Sequence, residues 1–134
     1  MSRFALMLGL LTLTAAAGAY AVDDSFDVNA SPAEVRRAMN DLGAAGLMSF
    51  PGPVCLKSLL VSGGVDHTGR MYYSAGYGLL GTAEGQLYQN ADGSTHVEIH
   101  ATVVSDELHR TVMGTPEEMA RKITAQVVTN RRGS

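Results

Sequence analysis

The chain contains one cysteine, Cys55, and no tryptophan. A lone cysteine cannot close an intramolecular disulfide, so stability must come from packing even in an oxidising compartment. Cys55 lies between Val54 and Leu56, with Lys57 the nearest basic neighbour, a setting that suits a buried inert thiol better than a nucleophile. Basic side chains are also scarce, 10 Lys and Arg against 13 Asp and Glu, and the resulting net charge of −3 disfavours nucleic acid as a partner. No low-complexity run, internal repeat or Pro/Ser-rich linker interrupts the chain, which excludes a string of modules.

The longest apolar run is at the start. Residues Phe4 to Leu13 follow a basic Arg3 and lead into the small residues Ala19-Tyr20-Ala21, the pattern of a secretory signal peptide. The run is short for a membrane span, and cleavage is expected after Ala21, with Ala19 as a variant site and an uncleaved anchor as the alternative. Residues 1–21 are therefore read as a signal and residues 22–134 as a single α+β domain, periplasmic or secreted, with no integral membrane span after cleavage. Arg3 is the only charged residue removed, so the 113 residues that remain carry nine basic and thirteen acidic side chains.

Phe26-Asp27-Val28 alternates as a short strand and runs into Ser31-Pro32-Ala33-Glu34. Ser31 can accept a backbone N–H bond, Pro32 at the first helical position loses no needed donor, and Glu34 can reach back, which makes a capping box. Val35, Met39 and Leu42 then recur at helical spacing, and Gly43 to Gly46 ends the helix. Leu47 to Pro53 is too rich in Pro and Gly for a long element and reads as a packed connection or an apolar flap. Strand signals follow at Leu56 to Val61, Arg70 to Tyr77, Thr82 to Gln89 and Thr95 to Ser105, with turns at Ser62-Gly63-Gly64, at Asp66 to Gly69 and at Asn90 to Gly93. A further short strand is expected over Leu108 to Met113. Thr115-Pro116-Glu117-Glu118 repeats the helix start, and Met119, Ile123 and Val127 form one stripe on the second helix.

Few of these residues point to chemistry. Gly76 to Gly81 spells G-x-G-x-x-G, but a dinucleotide site needs those glycines between a parallel strand and a helix, and here a strand pattern follows. His96, Glu98 and His100 alternate, so they share one sheet face about 6.6 Å apart and could ligate a zinc ion. Their partners on the other face, Val97, Ile99 and Ala101, are apolar, which assigns the histidines to the solvated side and leaves no metal or cofactor expected. Asp66-His67 and Asp106-Glu107-His109-Arg110 read as surface groups, and the acidic pairs Asp23-Asp24 and Glu117-Glu118 as element termini. No nucleophile motif orders Ser, His and Asp into a triad, so no catalytic residue is assigned. Met71, Tyr73, Ala75, Tyr77 and Leu79 line one face, either as core against the last helix or as the wall of an apolar pocket.

The strand and capped helix from Phe26 to Met39, Pro51-Gly52 after that helix, the Gly81 to Val103 hairpin with Asp92-Gly93-Ser94-Thr95, and the capped final helix together resemble the START-related, polyketide-cyclase-like SRPBCC superfamily. This chain looks like an exported and shortened variant. The resemblance implies a helix-grip fold, an antiparallel sheet wrapped around a C-terminal helix, with a cavity between them for a lipid or other small hydrophobic ligand. On that basis Met71, Tyr73, Tyr77, Met119 and Ile123 are the expected ligand-binding residues. The superfamily shares no catalytic residue. A cyclase- or hydratase-like enzyme using Tyr73, His100 or Glu98, and a cell-envelope interaction module without ligand, are the alternatives.

Overall fold

The computed structural model describes residues 20–47, 61–75 and 81–133. Five antiparallel strands form one sheet in the order β1-β5-β4-β3-β2, with β1 at Tyr20–Val28, β2 at Val61–Val65, β3 at Arg70–Ala75, β4 at Gly81–Gln89 and β5 at Thr95–Val103. Strands β2 to β5 are a simple meander. Helix α1, Pro32–Leu47, carries the chain from β1 at one edge towards β2 at the other, while α2, Asp106–Met113, and α3, Pro116–Arg132, follow β5.

Side-chain parity decides which face of the sheet is covered. Phe26 and Val28 on β1, Met71 and Tyr73 on β3, Ala83 and Leu87 on β4, and Val97, Ile99, Ala101 and Val103 on β5 all point inward and are buried. Val35, Ala38 and Met39 of α1 and Met119, Ile123 and Val127 of α3 pack on this surface, so sheet and helices share one core. The stripe read from the sequence on α3 is its observed buried face; that of α1 is buried at Val35, Ala38 and Met39, with Leu42 partly buried.

Both cap motifs are formed. Ser31 and Glu34 exchange hydrogen bonds at 3.3 Å, and Thr115 and Glu118 do the same at the start of α3, where Pro116 opens the first turn. Gly43, with φ 64°, kinks α1 where the glycine cluster was expected to end it, and the helix runs on to Leu47. Asn40 on the same helix clamps the edge strand: its side-chain amide donates to the Val65 carbonyl and accepts from the Val65 amide, both at 2.8 Å. An edge backbone is thereby paired, as a neighbouring strand would pair it.

Three sequence expectations are corrected. Ser62-Gly63-Gly64 belongs to β2 and is not a turn. A side chain at Gly63 would run into the Tyr72 carbonyl and the Tyr73 ring, so glycine here admits a close neighbour. Leu108 to Met113 is helical: acidic Asp106 and Glu107 sit in the first turn of α2, where they suit the helix dipole, and Gly114 with φ 81° ends it. His109 is not a surface group but 5% exposed. Of the strand expected at Leu56 to Val61, only Val61, the first residue of β2, is described; Leu56 to Leu60, Cys55, the Leu47 to Pro53 connection beyond Leu47, Tyr77 and Leu79 lie outside the described residues, as does the signal segment up to Ala19.

Candidate functional site

The inner face of the sheet changes character along the strands. Where β1 meets α1, one register row holds Leu87, Val97 and Phe26, all large and apolar. Two rows further on, Gly63, Tyr73, Ala83, Ala101 and Val22 lie side by side across the five strands. Tyr73 is therefore the one large ring in a row whose neighbours on β2, β4 and β5 carry at most a methyl group. Gly63 opposite it leaves room for the ring to lie flat against the edge strand.

Tyr73 is 2% exposed, and its hydroxyl has no hydrogen-bond partner among the described residues. Burial pushes the phenol up to about 12, so it stays protonated and acts as a donor. A buried polar group without a partner is costly, on the order of 1–3 kcal/mol, and such groups are rare in folded proteins. The other buried polar side chains are satisfied. Thr95 donates to the Ala30 carbonyl at 2.8 Å, and Asp24 and His109 bond each other.

Of the expected ligand-binding residues, Met71, Tyr73, Met119 and Ile123 converge in the single core between sheet and α3, the first three from 0 to 2% exposed and Ile123 fully buried. Tyr77 lies outside the described residues.

A second buried constellation was not anticipated. Asp24 on β1 accepts a 2.6 Å bond from an Nη of Arg110 and lies 3.0 Å from Nε2 of His109, and Arg110 also donates to the Gly114 carbonyl at 2.9 Å. Both Asp24 and His109 side chains are 2% exposed. This group fastens α2 onto the sheet. Its signal in the sequence was the parity of β1: Asp24 is in phase with Phe26 and Val28, so it had to point inward and needed a partner.

His96, Glu98 and His100 occupy the opposite, outer face. His96 contacts Asp27 at 3.0 Å and Glu98 at 3.4 Å; His100 contacts Asp23 at 2.8 Å. The hydrogen bond of His100 with Asp23 and the nearby carboxylates of Glu98 and Glu84 raise its imidazole above the ordinary range. Among the described residues no group of three His, Cys, Asp or Glu is placed to hold a metal ion. A shallow trough of about 620 Å³ crosses this outer face beside His100, Glu84, Tyr72 and Thr82. Gly63, Tyr73, Ala83 and Ala101 also border it, although Tyr72 and Tyr73 point their side chains to opposite faces.

The sequence matches no known family profile and no curated protein. In three dimensions the chain is similar to the crystal structure of Ara h 8.0201, with a TM-score of 0.55 and 14% identity over 84% of this chain and all of that one. It also overlaps the di-domain ARO/CYC BexL from the BE-7585A biosynthetic pathway, with a TM-score of 0.40 and 15% identity over 86% of this chain and 47% of that one. Sheet order, final helix and the first of these likenesses define the fold as helix-grip α+β. No described helix is long and apolar enough to cross a membrane.

Proposed function

We propose that this chain binds a small apolar molecule, a lipid or similar compound, in the interior between the sheet and α3. The observation that carries this reading is the buried Tyr73 hydroxyl without a partner among the described residues, set in a row of glycine and alanine and in the same buried cluster as Met119 and Ile123. A packed core with no guest gains nothing from an unsatisfied phenol; a binding site does. The helix-grip fold is compatible with it. The segment before Tyr20 supports export to the periplasm or medium, and cleavage after Ala19 or Ala21 would leave Val22 to Val28 of β1 in place.

An enzymatic role on the same scaffold would need two of Tyr73, His100 and Glu98 to converge, and Glu98 and His100 face away from Tyr73. Native mass spectrometry of the gently purified protein tests the binding reading. The expected result is a bound apolar molecule released on denaturation; an empty protein that also takes up no added apolar compound would refute it.

A further inference from the structure

Resting on the binding reading above, we infer that the guest is electrically neutral and offers a hydrogen-bond acceptor, a ketone, ester or quinone carbonyl, to the Tyr73 hydroxyl. Three observations restrict the class. First, the phenol is the buried side-chain polar group left without a partner among the described residues, so the guest must supply the missing atom. The high pKa of that buried phenol keeps its hydrogen in place, which asks for an acceptor. Second, the row that Tyr73 shares with Gly63, Ala83 and Ala101 provides backbone already paired in the sheet and no further side-chain donor or acceptor. A carbonyl satisfies the phenol without importing a donor that would itself need a partner. Third, the described interior has no cation to spare. Its buried charged or ionisable groups are Asp24 and His109, which bond each other, and Arg110 spans Asp24 and the Gly114 carbonyl. A fatty-acid carboxylate would therefore be a buried unpaired charge, which is strongly unfavourable.

Calorimetric titration of the full chain with three probes of matched size tests this: 2-acetylnaphthalene, 2-ethylnaphthalene and 2-naphthoate. Hydrocarbon binding measures whether the interior accepts an apolar guest at all. The ketone's advantage over the hydrocarbon measures the inference. The expected result is that the ketone binds about threefold to tenfold tighter than the hydrocarbon, the range of one neutral hydrogen bond, and that naphthoate binds weakest. Tyr73→Phe should abolish the ketone's advantage over the hydrocarbon. The same variant, without guest, should melt no lower than the parent, because it removes an unsatisfied buried group and keeps the ring. Equal binding of ketone and hydrocarbon, a preference that survives Tyr73→Phe, tightest binding of naphthoate, or a lowered melting temperature would each overturn the inference while the binding reading stands. Failure of all three probes to bind would overturn both.

Discussion

The carboxylate of Asp24 and the imidazole of His109 meet at 3.0 Å inside the protein, 85 residues apart in sequence and each 2% exposed. Asp24 bonds both His109 and Arg110, and removing its buried carboxylate leaves both without that partner. Asp24→Ala should therefore cost about 3–5 kcal/mol in urea unfolding. Replacing both residues together, Asp24→Leu with His109→Leu, should cost less than Asp24→Ala alone, since no buried imidazole is then orphaned and Arg110, 39% exposed, can turn to water. A double variant as unstable as the sum of the singles would contradict the pairing.

The two capping boxes make a separate, smaller contribution. Thr115→Ala removes the hydroxyl that accepts from the Glu118 amide at 3.2 Å and should lower stability by about 1 kcal/mol, whereas Thr115→Ser should be nearly silent. Chemical unfolding monitored by circular dichroism distinguishes the two.

Acid sensitivity has an identifiable component at Glu34. The hydrogen bonds from Arg131, at 2.6 and 2.9 Å, followed by the Ser31 backbone bond, lower its carboxyl to about 2 from an ordinary 4.5. A depressed acid pKa gives stability that is present above pH 4.5 and lost as pH falls towards 2. The pair is more than a third exposed, so screening limits the effect to under about 1 kcal/mol. The melting-temperature gap between the parent and Glu34→Gln should accordingly shrink as pH drops from 4.5 to 2.

His100 has the opposite sign. Its hydrogen bond to Asp23, with the charges of Asp23, Glu98 and Glu84, raises its pKa, so its contribution is complete below pH 6.5 and fades as pH rises through the shifted value. In an NMR titration, Asp23→Asn should move the His100 midpoint back down. An unchanged midpoint would show that the Asp23 contact is not made in solution.

Much of the fold was legible because local signals agreed with one another. Ser31 and Thr115 announced both helices, Met119, Ile123 and Val127 gave the buried stripe of α3, and Asn90 to Gly93 gave the β4–β5 hairpin. Where local and tertiary demands diverged, the sequence misled. Gly63 and Gly64 read as a turn because nothing local reveals that the Tyr73 ring and the Asn40 amide lie against them. Likewise, Asp106 to Arg110 is polar enough to pass for surface, and only the inward parity of Asp24 on a distant strand explains why His109 is buried. Met71, Tyr73, Met119 and Ile123 were identifiable by periodicity as inward-facing. That the Tyr73 hydroxyl would lack a partner was not, since satisfaction of a polar atom depends on contacts among several elements.

The central claim, an apolar guest held between the sheet and α3, is tested most directly by NMR of the full chain labelled at methionine and isoleucine methyl groups, with 2-acetylnaphthalene added. The account predicts intermolecular contacts from the naphthalene protons to the methyls of Met71, Met119 and Ile123. Contacts confined to the outer face around His100 and Thr82, with those three methyls unaffected, would contradict it.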